Sequence, residues 1–378
     1  MCHRILAFSH PRILANCQVG LNYPANIKNM TYPFCYPGAL HIHTRYSDGT
    51  GTYPDVIAAA QAAGLRWIIV TDHDTLAGAP FAGWHNDLLV IVGHEITPDH
   101  NHFLALNVDT VVSRDLPPQA FIDEVYARGG FGIIAHPDEQ VTNTVKEIYR
   151  WDDWAIDGPR QRAGQTVGLE IWNWMSDWTE HLTPRNRYLN FFVPALGLSG
   201  PTPATLAWWD RLNMSGRRTF GVGGVDAHAF KHPVPWGEVE VFSYRWLFGT
   251  LTNYLLLHEP LSRDDATATQ QVYAALAQGR SYFVNRHDGR AAPLAFSATC
   301  ANACYAIGDT ASLRDGPLLL EVDVGLNAAQ VQLIANGQLL SSGRRRLRQT
   351  INAPGVYRIE AHIGGKPWLF GNPLYVGM

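Results

Sequence analysis

The amino-acid sequence predicts an α/β fold, either a barrel or a wound parallel sheet, followed by a smaller antiparallel β domain. Apolar runs typical of strands buried on both faces recur along the first two thirds of the chain, and helical patterns lie between several of them. From about residue 292 the pattern changes to alternating polar and apolar residues with Asn-Gly and Gly-Gly turns. That change is typical of a small antiparallel sandwich.

Seven apolar runs predict the strands of the first part. They cover residues 39–43, 66–70, 88–93, 102–108, 131–135, 167–172 and 218–224. Helices are predicted over 53–64, where Pro54 begins and Gly64 ends an alanine-rich segment, and over 117–130. A further helix begins near residue 267, is capped by Gly279 and leads into a strand that ends at residue 284.

Composition indicates which classes of partner and which cell compartment to expect. The net charge of -4, without a block of lysine or arginine, argues against a nucleic-acid partner. No apolar run approaches the roughly 20 residues of a membrane span. Five scattered cysteines imply no disulfide framework. We therefore expect a cytoplasmic protein with neither a membrane nor a nucleic-acid partner, and a homo-oligomer is an open alternative to a monomer.

Polar side chains follow the predicted strands. "TDHD" follows "IIV", "HEIT" follows "LLVIVG", "HPDE" follows "GIIA", and "VDAH" follows "FGVGG". The carboxyl ends of parallel barrel strands line one face, so we expect these side chains to meet there. Imidazole and carboxylate together suit zinc, manganese or iron, and a bridging carboxylate suits two or three ions. The candidate residues are His41, His43, Asp48, Asp72, His73, Glu95, His102, His136, Asp226 and His228.

Five of these motifs, in this order, resemble the metal motifs of the PHP superfamily, named for polymerase and histidinol phosphatase. They are "LHIHTRYSDGT", "IIVTDHDT", "VGHEIT", "IIAHP" and "GGVDAH", and the resemblance covers roughly residues 36–245. It implies a distorted (β/α)7 PHP-type barrel that holds two or three metal ions. "GRSYFV" and "KPWLFGNPLYV" resemble the CehA/McbA branch, named for carbaryl-hydrolysing enzymes, which implies a small C-terminal β-sandwich.

The predicted division of the chain follows from these features. Residues 1–35 are an N-terminal extension, residues 36–290 a PHP-like barrel with inserted helices, and residues 291–378 a small antiparallel β-sandwich domain.

The resemblance also implies which residues bind each ion. The implied ligands are His41, His43, Asp226 and Glu95 for the first ion, Glu95, His136 and His102 for the second, and Asp48, His73 and His228 for the third. His102 opens an apolar run instead of closing one, so His100 and His94 compete for its role. Asp72 is expected to orient His73 and not to bind an ion itself.

The metals imply a hydrolytic mechanism with a metal-activated water. Asp226, His73 and His228 are the predicted catalytic residues, and either histidine could protonate a leaving group if it is not fully committed to a metal. Arg45 and Lys231 either clamp a phosphate or are solvated rim charges.

Three further sequence features have alternative interpretations. Glu170 and Asn173 either contact substrate or make hydrogen bonds at a strand end. The glycine cluster "GVGG" at 221–224 is expected to make room for metals. The tryptophans grouped at 151–178 either line a pocket for an apolar substrate or pack inserted helices on the barrel.

We expect an enzyme that acts on a small molecule. A phosphoesterase is the first hypothesis, mildly favoured by Arg45 and Lys231. A carboxylesterase or carbamate hydrolase of the CehA/McbA type is the second, mildly favoured by the tryptophan-rich insertion. A catalytically idle metal-binding module is the third, and it would require missing ligands where none is missing.

Overall fold

The structure, a computed structural model, describes residues 32–139, 149–150, 167–234, 237–287 and 294–377. Most of the predicted N-terminal extension, and the tryptophans at 151 and 154, lie outside the described residues. Within these ranges, none of the helices has the length and apolar composition that crossing a bilayer requires.

The strands before residue 290 are β1 (Phe34–Leu40), β2 (Trp67–Val70), β3 (Gly83–His85), β4 (Leu88–Val92), β5 (His94–Ile96), β6 (Phe103–Leu106), β7 (Phe131–Ile134), β8 (Asp138–Glu139), β9 (Tyr149–Arg150), β10 (Val167–Asn173), β11 (Gly221–Gly224), β12 (Phe230–Val234), β13 (Gly237–Val241), β14 (Leu251–Leu257) and β15 (Ser281–Asn285). The α-helices span Tyr53–Ala62, Pro118–Ala127, Trp174–Glu180, Arg187–Phe192, Pro203–Met214, Tyr244–Leu247 and Asp265–Ala277, with short 3-10 helices at Ala79–Phe81 and Pro194–Leu196.

Local sequence explains where the helices begin. The Thr52 side chain accepts from the backbone of Asp55 and the Asp55 side chain accepts from the backbone of Thr52, which forms a capping box for the helix Tyr53–Ala62. Asp264 caps the helix Asp265–Ala277 in a similar way, by accepting from Thr267.

Two sheets position the candidate residues. In the first, β14, β1, β2, β4 and β3 are neighbours in that order, and β1, β2 and β4 run parallel. In the second, the order is β11, β10, β7, β6 and β5. There β11, β10 and β7 run parallel, whereas β6 runs antiparallel to both β5 and β7. All residues of β2 and β10 are buried, as continuous apolar runs predict for parallel strands.

The two sheets meet at two single parallel bridges, between Ile42 and Ala227 and between His73 and Glu95. Hydrogen bonds continue the second contact, because the backbone N–H of Asp74 donates to the carbonyl of Glu95 over 2.9 Å. Ile42, His73 and Ala227 each lie just past the end of a parallel strand. Both seams are therefore lined by the residues that follow β1, β2 and β11.

Strand β15 connects this part of the chain to the C-terminal strands, because it pairs with β14 on one side and with β24 on the other. The C-terminal strands are β16 (Ala295–Thr299), β17 (Cys304–Tyr305), β18 (Thr310–Ala311), β19 (Leu318–Asp323), β20 (Ala329–Ala335), β21 (Gln338–Arg344), β22 (Arg346–Ile351), β23 (Gly355–Ile363), β24 (Lys366–Gly371) and β25 (Leu374–Val376). Leu320, Val331 and Ile359, from β19, β20 and β23, belong to one buried apolar cluster.

The two predicted C-terminal turns are confirmed. Asn336 and Gly337, with φ of 49° and 77°, join β20 to β21, and Gly364 and Gly365, with φ of 58° and 81°, join β23 to β24. Positive φ at both central residues is the requirement of the tight hairpin turn that Asn-Gly and Gly-Gly favour. Closure of the first part into a (β/α)7 barrel, a C-terminal sandwich and the three-part division of the chain stay predictions.

The first predicted strand differs from the one observed. We expected residues 39–43 to form a strand that presents His41 and His43 on one face, but β1 ends at Leu40 and His41 has a φ of 64°. The left-handed residue turns the chain out of the strand, and pairing resumes only at Ile42. The two histidines are therefore brought together by a backbone kink and not by strand alternation.

Candidate metal centre

The first cluster of polar side chains lies at the seam between β1 and β11. Nε2 of His41 is 3.3 Å from Oε2 of Glu95 and 3.4 Å from Oδ1 of Asp226. Nε2 of His43 is 3.3 Å from each of the same two oxygens. These spacings match the edge of about 3.3 Å that four ligands form around a tetrahedral ion at distances of about 2.0–2.1 Å.

The second cluster uses the other oxygen of Glu95. Oε1 of Glu95 is 3.1 Å from Nδ1 of His102 and 3.5 Å from Nε2 of His136. Nε2 of His102 is 3.0 Å from the carbonyl of Pro98, which can only accept, so Nε2 carries the ring proton. Burial lowers the pKa of His102, which keeps its ring neutral. Nδ1 then presents a lone pair to a carboxylate oxygen at 3.1 Å, a contact that a cation between the two atoms would stabilise.

The direction of β6 explains why His102 stands here. Because β6 runs antiparallel to β5, the residue before its first position, and not the one after its last, lies beside Glu95. The side chain of His100, the competing candidate, is exposed. His94 is buried, and its Nε2 accepts from the backbone N–H of Val112.

The third cluster contains Asp48, His73 and His228. Oδ1 of Asp48 is 3.4 Å from Nε2 of His73 and 3.1 Å from Nε2 of His228. Nδ1 of His228 is 3.0 Å from the carbonyl of Asp226 and so carries a proton, which makes Nε2, facing Asp48, the nitrogen available to an ion. The ring of His43 stacks on those of His73 and His228 at 4.3 and 4.2 Å, so the third cluster adjoins the first.

Three of these residues hold unusual backbone conformations. His41, His136 and Asp226 have φ of 64°, 25° and 49°, in the left-handed region that side chains with a Cβ rarely adopt. Such conformations cost about 1–3 kcal/mol each and persist where the surrounding structure imposes them, typically at functional sites. Two residues that flank the bridge between Ile42 and Ala227, and one just past the end of β7, are thus held against their backbone preference.

The carboxylates of the centre are ionised. Burial alone would raise the pKa of Glu95 and of Asp226, but the neighbouring histidines, His41 first among them, hold both pKa values well below their usual range. Burial, reinforced by His228 and His73, lowers the pKa of His43 to about 3. The centre therefore combines buried negative charge with a neutral imidazole, which favours the binding of a cation.

Several buried atoms of the centre have no hydrogen-bond partner among the described residues. They are both ring nitrogens of His43 and Oε1 of Glu95. Buried polar atoms are almost always hydrogen-bonded, so a missing partner at a point where nitrogens and carboxylate oxygens converge is informative. Donor atoms of each of three sets lie within 4.8 Å of one another: His41, His43 and Asp226; His41, Glu95 and His136; His43, Asp48, His73 and His228. These residues fit divalent metal ions.

Asp72 makes different contacts from those expected. We expected Asp72 to orient His73, but its carboxylate accepts from the backbone and hydroxyl of Thr44, at 2.6 and 2.8 Å, and from the hydroxyl of Ser47 at 2.8 Å. Asp72 therefore holds the turn that carries Asp48. Nδ1 of His73 instead lies 2.6 Å from the hydroxyl of Thr97.

Asn173 and Glu170 are fixed by contacts within the protein. Oδ1 of Asn173 accepts from the backbone of Ser176 at the start of the helix Trp174–Glu180. Its Nδ2 donates to Glu170 over 3.0 Å and to Asp226 over 3.3 Å. Both residues are buried. Contact of Asn173 with a substrate stays a prediction.

Arg45 and Lys231 are exposed and share one rim. Hydrogen bonds from Thr52 lower the pKa of Asp55, and the positive charges of Arg45 and Lys231 lower it further. Because both cations act on the same carboxylate, they stand on the same side of the molecule. Binding of a substrate by either one stays a prediction.

Tyr244 supports this site but is not indicated by any sequence motif. Its hydroxyl lies 2.8 Å from the carbonyl of His43 and 3.1 Å from that of His228, and it accepts from the backbone N–H of Gly51 over 3.1 Å. Tyr244 thus joins three segments that carry or flank candidate ligands. Nothing in its local sequence indicates this, because the contacts with His43 and Gly51 span 201 and 193 positions.

Comparisons with known proteins agree with this geometry. Residues 39–107 match the family model of the PHP domain. Over 138 residues the chain is 27% identical to an uncharacterized protein of Methanocaldococcus jannaschii, a stretch that covers 32% of this chain and 77% of that protein. The chain is thus similar to the PHP domain over residues 39–107, and its clusters of histidine and carboxylate suggest divalent-metal binding.

The similarity of this chain to solved structures is weaker. A two-domain protein from Bacteroides vulgatus, described as containing a predicted PHP-like metal-dependent phosphoesterase, is 15% identical with a TM-score of 0.42, covering 90% of this chain and 95% of that one. An amidohydrolase from Chromobacterium violaceum is 14% identical with a TM-score of 0.31, covering 50% of this chain and 87% of that one. TM-scores below 0.5 do not define a shared function.

Proposed function

We propose that this protein is a metal-dependent hydrolase in which a metal-activated water attacks a phosphoester. The observation that supports this most is the carboxylate of Glu95, whose oxygens lie within 3.5 Å of nitrogens of His41, His43, His73, His102 and His136. One carboxylate cannot serve as acceptor for five imidazoles, whereas two or three divalent ions could share it as a bridging ligand.

The ligands are those that the sequence predicts, and zinc, manganese and iron all suit them. The first ion would be held by His41, His43, Glu95 and Asp226, the second by Glu95, His102 and His136, and a third by Asp48, His73 and His228. When bound, such ions lower the pKa of a coordinated water toward neutrality and neutralise negative charge on the oxygens of the substrate.

His73 and His228 are the residues best placed to protonate a leaving group. Their side chains are 23% and 10% exposed, whereas those of His41 and His43 are fully buried. The carbonyl of Asp226 fixes the His228 ring through Nδ1. We propose that one of these two imidazoles, at the solvent side of the centre, acts as the general acid when it is not committed to a third ion.

The rim cations favour an anionic substrate, which supports a phosphoester over a carboxyl ester or carbamate. The feature that favoured the latter was the tryptophan-rich insertion. Trp174 and Trp178 are at most 5% exposed and belong to the apolar core, so these two pack the fold. Trp172 is also buried, but it borders a cavity that His136 and Asn173 line as well. The CehA/McbA branch, the (β/α)7 barrel and the C-terminal sandwich remain part of this proposal.

Elemental analysis of the purified protein is the first test. We expect two or three transition-metal ions per chain, and fewer than one after mild purification would contradict the centre. Glu95→Gln keeps the size of the side chain but removes its charge, and should lose bound metal. Glu124→Gln is the matched control, since Glu124 contacts Arg128 on an exposed helix.

A substrate panel tests the reaction. p-Nitrophenyl phosphate, bis-p-nitrophenyl phosphate, naphthyl acetate and a naphthyl carbamate should be compared in the presence of manganese or zinc. We expect turnover of a phosphate, and a loss of more than about 100-fold in Glu95→Gln. Turnover of the carbamate or acetate alone would favour the alternative hydrolase. Bound metal with no turnover of any substrate would favour an idle module.

A further inference from the structure

Glu170 is a buried carboxylate with three N–H donors. It lies in β10, where all seven residues are buried, and is 1% exposed. Its Oε1 is 2.9 Å from Nδ1 of His41, and its Oε2 accepts from the backbone of His136 over 2.7 Å and from Nδ2 of Asn173 over 3.0 Å. A carboxylate is stable in such a place only when its oxygens are satisfied, and these three donors satisfy them.

A specific glycine makes room for this carboxylate. A Cβ at Gly224 would lie 1.4 Å from Oε1 of Glu170 and 2.5 Å from its Cδ. Gly224 is the last residue of β11, which runs parallel to β10. We expected the glycines of 221–224 to make room for metals, but at Gly224 the space is taken by the Glu170 side chain.

The contact between Glu170 and His41 determines which ring nitrogen of His41 can bind an ion. A carboxylate oxygen can only accept, so Nδ1 of His41 must carry the proton. The nitrogen left to bind an ion is therefore Nε2, which faces Oε2 of Glu95 and Oδ1 of Asp226 at 3.3 and 3.4 Å. Through Oε2, Glu170 also anchors the backbone of His136, whose φ of 25° needs such support.

We propose that Glu170 is a positioning residue that fixes the Nδ1–H tautomer of His41 and thereby directs Nε2 toward the first ion, with Gly224 as the space that admits it. This inference rests on the proposed metal centre. It assigns to Glu170 a role toward His41 in place of the substrate contact considered from sequence.

Glu170→Gln is the sharpest test, because an amide has one acceptor oxygen. If that oxygen faces His136 and Asn173, the NH₂ group of the glutamine donates to Nδ1 of His41. Nδ1 must then be unprotonated, so the ring proton of His41 moves to Nε2. If the oxygen faces His41, two donors oppose the NH₂ group. We expect a 10- to 100-fold weaker binding of Zn²⁺, roughly the range for loss of an orienting partner. Competition against a fluorescent chelator measures this loss, with Glu124→Gln as the control.

A second variant tests the space that the Glu170 side chain occupies. Gly224→Ala leaves Glu170 unchanged but occupies its place, so it should weaken Zn²⁺ binding by a similar factor. In a Glu170→Ala background the same alanine meets no carboxylate and should cost little further affinity. Independent, additive losses in the double variant would contradict the steric relation between the two residues.

The tautomer itself can be observed without any variant of Glu170. Long-range ¹H–¹⁵N spectra of metal-free, ¹⁵N-histidine-labelled protein report which nitrogen is protonated, with His41→Gln to assign the signal. We expect a protonated Nδ1 of His41, and a signal that shows an unprotonated Nδ1 would overturn the proposal even if Glu170→Gln failed to fold. If the wild-type protein binds no Zn²⁺, the metal centre itself fails. If it binds Zn²⁺ and Glu170→Gln binds equally well, only the role of Glu170 fails.

Discussion

Removal of metal should leave a protein whose stability falls as the pH rises above about 6.5, the pKa of an unfolded histidine. Burial disfavours charge on His73, but Glu95 and Asp48 outweigh it and raise the pKa of His73 from 6.5 to about 10. Burial likewise opposes charge on His136, and Glu95 with Glu139 raises its pKa to about 9. Between the unfolded and folded pKa values the native state binds more protons, so the free energy of unfolding decreases as protons become scarce.

The size of the effect follows from the two shifts. Each group contributes at most about 1.4 kcal/mol for every pH unit inside its window, so His73 and His136 together could remove at most about 5 kcal/mol between about pH 7 and 9. That is comparable to the whole stability of many domains, about 5–15 kcal/mol. The lowered pKa of His43, about 3, acts in the opposite direction and removes stability as the pH falls below about 6.5. The metal-free protein should therefore be most stable near pH 6.5.

Urea unfolding of chelator-treated protein at about pH 6.5, 7.5 and 8.5, followed by tryptophan fluorescence, measures this slope. Metal-loaded protein should show the opposite trend, because histidine ligands must lose protons to bind. His73→Asn should reduce the slope, while His232→Asn, at an exposed position of β12, should leave it unchanged. A metal-free protein whose stability is constant or rises from about pH 6.5 to 8.5 would refute the reasoning.

Two further predictions concern single side chains. Arg358 is 3% exposed and donates to Asp210 over 2.6 and 2.7 Å and to Glu360, so Arg358→Ala leaves two buried carboxylates unpaired and should lower the free energy of unfolding by about 3–5 kcal/mol. A urea titration that shows less than about 1 kcal/mol would contradict a buried ion cluster. His102→Gln should lose bound metal, whereas His100→Gln, at an exposed position, should keep it. Elemental analysis of both variants decides between them.

The sequence predicts the elements of the fold well where a local signal exists. The strands Trp67–Val70, Leu88–Val92 and Val167–Asn173 were predictable from continuous apolar runs, and the helix Tyr53–Ala62 from Pro54 and its cap. Strand direction has no such signal. The sequence pattern alone cannot show that β6 is antiparallel, because direction depends on pairing with β5 and β7 across the chain.

The candidate ligands were predictable for a related reason. His41, His73 and Asp226 follow strand ends, and the order of their motifs carries the family resemblance. Their orientation was not predictable. The tautomer of His41 depends on Glu170, which lies 129 positions away, and the turn that bears Asp48 depends on Asp72. Such partners are set by which strands become neighbours, and no short motif encodes that.

The metal centre and the joining of the two sheets are one structural feature. The bridge between His73 and Glu95 closes one seam, and the bridge between Ile42 and Ala227, flanked by His41 and Asp226, closes the other. Backbone hydrogen bonds accompany each bridge, such as that from Ala227 to His41 at one seam and that from Asp74 to Glu95 at the other. Ions shared by Glu95 and residues of both seams would tie them together, and without those ions the same contacts depend on protons held by the histidines. The pH dependence of the free energy of unfolding of the metal-free protein therefore measures how much the fold depends on positive charge at the metal centre.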